Sequence, residues 1–424
     1  MGVMRRRTFL RRAAFAAAGL AAHGFGRARA NPVAAPRVVI VGGGFAGSCC
    51  ALELRRLDPR IDVVLVDADA DYVSCPMSNE VLIGLRPMQS LTVTRRGLDQ
   101  AGVRFVHEHV SGIDAGKRHL RLQRGGVIPY DRLVVAPGIR FLFGTPAGYD
   151  AAASQRMPHA WLAGPQTELL SAQLRGMSDG GTVAISVPAG LIRCPPGPYE
   201  RASLIAGWLR RHRPRSKVLI FDANNHFPRQ DLFTAAWQEL YPGMIEWIAP
   251  ADGGEVTRVD ARTCTLYSSS GAHRVALGNV IPRQAPGWLA AASGLATGHG
   301  WCPITPATFE SQQLPGVYVI GDACIAGAMP KAASAARSQA LQCAAALSAS
   351  FAGREAPTAA LDSVCYSMLS EASAFAIRGR YVIRDAEIRQ DAATGDTAGG
   401  TPGAEGALDA AAWYERLRSQ CFGA

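Results

Sequence analysis

The chain has 424 residues, 48% of them apolar, with 18% charged residues and a formal charge of +10. That length and apolar content support two or three domains with cores of their own and speak against a disordered chain. Ten cysteines permit disulfides without making them necessary, and the absence of any Cys-x-x-Cys-His means that no covalently attached c-type haem is carried on this polypeptide.

Residues 1–30 read as an export signal. Arg6-Arg7-Thr8-Phe9-Leu10 carries a twin arginine, Ala13 to Ala22 is apolar, and Ala28-Arg29-Ala30 offers a small-residue cleavage site. The apolar run is too short to span a bilayer. Seven arginines and no acid occupy the segment, so its removal takes the formal charge from +10 to +3. The basicity therefore belongs to an address rather than to nucleic-acid binding. An amphipathic N-terminal helix is the alternative reading. The twin-arginine route usually serves proteins exported already folded, so a periplasmic location and a cofactor bound before export are expected, with no integral membrane anchor.

Next comes the β-branched run Arg37-Val38-Val39-Ile40-Val41, leading into Gly42-Gly43-Gly44-Phe45-Ala46-Gly47 and an Ala/Leu-rich helical stretch from Ser48 to Leu57. A second strand, Asp62 to Val66, closes on Asp67. Strand, glycines, helix and acid in this order form the dinucleotide fingerprint. Gly42 makes the tight turn, Gly44 lets the backbone approach a pyrophosphate, Gly47 lets helix and strand pack closely, and Asp67 accepts a ribose hydroxyl. The fingerprint alone leaves FAD and NAD open. Two later segments favour FAD, though either alone is also an ordinary buried strand ending in a turn: Leu133-Val134-Val135-Ala136-Pro137-Gly138 resembles the strand and turn by which two-dinucleotide flavoproteins leave their FAD domain, and Gly316-Val317-Tyr318-Val319-Ile320-Gly321-Asp322 resembles their late strand. In those proteins the aspartate matching Asp322, after Gly321, holds the ribityl chain.

Strand, helix and strand-acid recur at Thr182 to Val187, Ala202 to Arg210 and Lys217 to Asp222. The connecting loop, Pro188 to Gly197, lacks glycines at dinucleotide spacing, and its prolines remove N–H donors that a pyrophosphate needs. This second fold is expected not to bind NAD. The fold class is therefore α/β: two Rossmann-like dinucleotide-binding domains, an FAD domain at residues 31–148 and 284–353 and a degenerate NAD-like domain at 149–283, followed by a C-terminal α+β domain at 354–424. Asp391 to Gly406, rich in Gly, Ala and Thr, reads as a flexible surface loop within that last domain.

Cys194-Pro195-Pro196-Gly197-Pro198-Tyr199-Glu200-Arg201-Ala202-Ser203 and Tyr72-Val73-Ser74-Cys75-Pro76-Met77-Ser78-Asn79-Glu80-Val81 resemble the flavoprotein subunit of flavocytochrome c sulfide dehydrogenase. Trp301-Cys302-Pro303-Ile304 and Gly321-Asp322-Ala323-Cys324 extend the likeness, and the C-terminal segment matches more loosely. The resemblance implies a periplasmic enzyme that oxidises sulfide to sulfur or polysulfide and passes electrons from FAD to a separate c-type cytochrome. It implies an 8α-S-cysteinyl FAD bond at Cys75, no second cysteine following that residue within ten positions to make a local dithiol. It also implies a redox disulfide between Cys194 and a cysteine after Asp322. Cys343, on a family-like helix, is the favoured partner and Cys324 the rival.

Hydrosulfide attacks such a disulfide to give a persulfide and a thiolate. Glu200 is the candidate proton acceptor, or else a solvated first-turn acid complementing the helix dipole. Trp413 lies against the flavin, as the family's tail does, or is core. Cys49 and Cys50 read as packing; Cys264, Cys302, Cys365 and Cys421 lack metal-like spacing, and His107-Glu108-His109 supplies too few ligands per strand face, so no metal is expected. Three other readings remain: a sulfide:quinone reductase, against which the short charged tail speaks; a flavin-loaded subunit without sulfur chemistry; and an NAD(P)H-dependent disulfide reductase.

Overall fold

Among the described residues the three largest of seven sheets organise the fold. The computed structural model describes residues 35–298, 300–392 and 397–423, so the twin-arginine segment lies outside the described residues. The first sheet has the strand order Ile304–Thr305, Glu310–Ser311, Val317–Val319, Arg132–Val135, Arg37–Val41, Asp62–Asp67, Arg104–His107. The last five run parallel, with Val39 opposite both Val64 and Leu133. Val38, Val39 and Ile40 are fully buried, as expected of a parallel strand covered on both faces. Helices Phe45–Leu57 and Ala333–Phe351 pack on each other beside this sheet.

The second sheet is all parallel, in the order Ile245–Ile248, Lys217–Asp222, Thr182–Val187, Leu277–Val280. Helix Gly197–His212 covers it with Ala202, Ile205 and Leu209, which are at most 1% exposed. Each large aliphatic side chain buried this way contributes roughly 1.5–3 kcal/mol. The same helix packs against strand Leu361–Ser370 of the third sheet, which is antiparallel and continues through Ser373–Arg384 and Glu387–Gln390.

One expectation is corrected here. The Gly/Ala/Thr-rich stretch at Asp391 to Gly406 is not simply a surface loop: Thr397–Gly403 is a strand paired antiparallel to Ser373–Arg384, and helix Ala404–Phe422 follows directly. A register shift between Ala374 and Ala376 accommodates the irregular pairing, and glycine in a strand commonly marks such a bulge. Residues 393–396 lie outside the described set.

Candidate functional site

The first glycine loop is built for close backbone approach. Gly42 has φ +96°, and a Cβ there would lie 2.2 Å from the Ala136 carbonyl oxygen; a Cβ on Gly47 would lie 1.9 Å from the Gly42 carbonyl oxygen. Helix Phe45–Leu57 starts with no side-chain cap and no acid in its first turn, so its free amides remain available to an anion. Asp67 is poised at the end of its strand, receiving the Gly43 N–H and the Arg95 guanidinium. Arg95 itself is 6% exposed and donates to the Gly43 carbonyl as well. Sequence reading missed this brace, because nothing in a spacing pattern links residue 95 to the loop.

These residues open onto a cavity of about 370 Å³. Gly42, Gly44, Asp67, Gly321 and Asp322 line one part of it; Cys75, Cys194, Glu200 and Trp413 line the rest. Gly47 stands just behind, against the turn. Trp413 thus faces the cavity, with the Tyr366 ring 5.6 Å away. Asp322 follows Gly321, whose N–H donates to Gln339 Oε1 at 2.7 Å. Burial raises the Asp322 carboxyl above its ordinary value, while Arg193 and Lys331 pull it down. Glycine cradle, uncapped helix, ribose-level acid and late aspartate together fit an FAD.

The second loop has been rebuilt around sulfur. Cys194 holds a left-handed backbone, φ 53°, its N–H donating to the Lys331 carbonyl at 2.8 Å and its carbonyl accepting from Gly197. A Cβ on Gly197 would come within 3.1 Å of Cys194 Sγ and 2.8 Å of the Trp161 ring. Asp222, at the place where an NAD ribose acid would stand, is fully buried and already engaged: Tyr199 Oη and Trp247 Nε1 both donate to its Oδ2, and Asn224 to Oδ1. Tyr199 stacks on Phe227 at 3.7 Å, filling the space above that sheet.

The pairing expected from sequence is not what the fold brings together. Cys343 is fully buried in the helix core beside Cys50, whose thiol hydrogen-bonds to it, and does not line the cavity. Cys324 also points elsewhere, toward the Gly321 carbonyl and Gln339 Oε1, in a β-bridge with Cys302. The cysteine that shares the cavity wall with Cys194 and Cys75 is Cys365, on strand Leu361–Ser370. Burial, Glu200 and Cys365 hold the Cys194 thiol well above the usual thiol range, with Arg193 opposing. Burial pushes Cys365 up to about 11. Cys75 lines the same cavity, its Sγ accepting the Ala163 N–H at 3.5 Å.

Glu200 is not a solvated first-turn acid. It is half-buried at the cavity, and desolvation raises it to about 7, while the Asn79 amide and the Met368 N–H draw it down. Asn79 Nδ2 donates to Glu200 Oε1 at 2.8 Å. His107 Nε2 meets the Ala68 carbonyl and Glu108 pairs with Arg124, so that motif serves its own strand end.

Two nucleotide folds, one with a cradle and the other with its acid engaged and a cysteine at its loop, define a flavoprotein of the pyridine nucleotide-disulfide oxidoreductase fold. Residues 36–156 match the family model described as pyridine nucleotide-disulphide oxidoreductase, and residues 167–282 match that of the sulfide dehydrogenase [flavocytochrome c] flavoprotein chain, central. A sulfide dehydrogenase [flavocytochrome c] flavoprotein chain from Chlorobaculum thiosulfatiphilum is 56% identical over 45 residues, 11% of this chain and 94% of that sequence. The chain belongs to this family, which implies FAD as the cofactor. A sulfide-quinone reductase from Aquifex aeolicus is 30% identical over 111 residues, 26% of each chain, so that match spans about a quarter of its length. The solved sulfide:quinone oxidoreductase of Aquifex aeolicus superposes with TM-score 0.73 and 17% identity, over 92% of this chain and 93% of that one.

Proposed function

We propose that the protein oxidises sulfide at a Cys194–Cys365 disulfide beside a covalently held FAD and delivers the electrons to a c-type cytochrome in the periplasm. The observation that carries this reading is that Cys75, Cys194 and Cys365 line one cavity with the glycine cradle and Asp322. FAD, when bound, supplies a two-electron acceptor that can release electrons one at a time. Gly42, Gly44, Asp67, Gly321 and Asp322 would hold it, and Cys75 would anchor it.

The chain's own residues do the sulfur chemistry. Hydrosulfide attacks one sulfur of the disulfide; a new S–S bond forms, the Cys194–Cys365 bond breaks, and the electron pair leaves on the released thiolate. The persulfide's proton passes to Glu200, which burial sets at about 7 so that it can both accept and release protons near neutrality. Arg193, at the same wall, favours the thiolate form of Cys194.

Anaerobic addition of sulfide should bleach the flavin, and a c-type cytochrome should restore it. No bleaching at any sulfide concentration would leave a flavin-loaded subunit without sulfur chemistry. The likeness to sulfide-quinone reductases favours a second acceptor, a quinone; restoration by a short-chain quinone but by no cytochrome c would select it. Restoration of oxidised thiols by NADH is not expected, given the engaged Asp222.

Two further outcomes follow. Cys75→Ser should release its FAD on acid denaturation, whereas the native chain keeps FAD mass on the Cys75 peptide. For pH, Glu200 is protonated below about 7 and cannot accept a proton, so kcat/KM for sulfide should rise as pH climbs through 7. Glu200→Gln should lose that limb and about a hundredfold to ten-thousandfold in rate. Sulfide's own ionisation is common to both proteins, so their ratio isolates Glu200. Because its folded value lies above the ordinary 4.5, ionising Glu200 also lowers fold stability as pH rises from about 4.5 toward 7.

A further inference from the structure

Arg201 is 2% exposed, and among the described residues no carboxylate lies within ion-pair distance of it. A buried guanidinium without an acid partner is costly to maintain. Here neutral oxygens solvate it. Nε donates to Asn79 Oδ1 at 3.0 Å, Nη1 to the His159 carbonyl at 3.0 Å and Asn279 Oδ1 at 2.8 Å, and Nη2 to the Ala160 carbonyl at 2.6 Å. The Trp161 ring covers it, 4.9 Å from Cζ. His159 adds no second charge, because burial and then Arg201 push it down to about 4.

The consequence lies one residue away. A guanidinium has no acceptor, so it fixes which end of the Asn79 amide faces it. Oδ1 is committed to Arg201 Nε, and Nδ2 must therefore meet Glu200 Oε1. An N–H donor at Oε1 disfavours a proton on that atom, so this contact biases the proton toward Oε2. Asn279 is locked the same way: its Nδ2 donates to the Pro158 and His159 carbonyls at 2.6 and 2.8 Å, presenting Oδ1 to the cation.

We propose that Arg201 is a positioning residue for proton acceptance: it locks Asn79 with its donor on Oε1, so that Glu200 takes and releases its proton preferentially at Oε2, and its unpaired charge favours small anionic sulfur nucleophiles in the cavity. This rests on the sulfide reading for the identity of the nucleophile; the lock itself does not. The charged and titratable groups around Glu200 are Arg201 on its own helix, Glu80 paired with Arg86 at 2.8 Å, and Cys194 and Cys365 across the cavity.

The test reads Glu200 directly in the flavin-loaded protein, as the carboxyl infrared band that Glu200→Gln removes. The native midpoint is expected near pH 7. In Asn79→Ala and in Arg201→Gln, which lose the donor and the lock respectively, it should move up by about one unit. Arg201→Lys keeps the charge without the planar fork, and is expected to restore affinity for hydrosulfide but not the midpoint. Bound FAD and thermal midpoint report folding; if Arg201→Gln fails to fold, Asn79→Ala and Arg201→Lys still decide the matter. Midpoints unchanged in folded Asn79→Ala and Arg201→Lys overturn the lock. A hydrosulfide KM that rises about tenfold in Arg201→Gln with little change in kcat supports the charge role, and an unchanged KM overturns it. Absence of any sulfide turnover in the native protein would defeat the sulfide reading and, with it, the charge role, while leaving the infrared result to judge the lock.

Discussion

Cys194→Ser should lower sulfide-dependent reduction of the bound flavin at least about a thousandfold, because the group being attacked is removed rather than merely displaced. Cys365→Ser should do the same, and the double variant should be no worse than either single one, since the two sulfurs act as one unit. Both cysteines face the cavity, and burial keeps both thiols out of their ionised form, so neither alone offers an alternative nucleophile at neutral pH. Cys343→Ser is the informative contrast. That thiol contacts Cys50 in the helix core, and the folded variant should keep turnover within about twofold of native while losing some stability, as small core changes do. Stopped-flow reduction of each flavin-loaded variant checks all three. Equal loss in Cys343→Ser and Cys194→Ser would speak for the other pairing.

Gly47→Ala should sharply lower FAD incorporation. The new Cβ would fall 1.9 Å from the Gly42 carbonyl oxygen, a contact that only separation of helix and strand relieves. Overpacking typically costs about 1–3 kcal/mol even where neighbours can yield; here the neighbour is backbone, and the turn that must move is the one that cradles the phosphates. Affinity should therefore drop at least about tenfold to a hundredfold. Gly176→Ala is the control, since that exposed position has no atom within 4 Å of an added Cβ. The ratio of flavin to protein absorbance after purification measures both.

How much of this was legible in the sequence depended on how local each feature is. The first nucleotide fold was plain because Arg37 to Asp67 carries strand, turn, helix and acid in one unbroken stretch. The altered second loop was equally plain from its prolines. What replaced its function was not: Trp247 reaches back to Asp222 across neighbouring strands, and no pattern along the chain announces that contact. Cys365 was passed over for the same reason. It lies on a strand of the third sheet, which only folding brings against helix Gly197–His212. Cys343 misled because its helix does reach the site, but at its start. Ala332, Ala333 and Ala336 line the cavity, and Cys343 lies two turns further on, about 10 Å along the axis. Glu200 was legible as an acid of the first helical turn; its burial, which sets its chemistry, came from Asn79, Met368 and the third sheet.

The pairing itself can be read directly by peptide mapping of the oxidised, flavin-loaded protein without reduction. A cross-linked species joining the peptides of Cys194 and Cys365, lost on treatment with sulfide, is the predicted result. Cys194 joined instead to the peptide of Cys343 or Cys324, or left free after full oxidation, would contradict it.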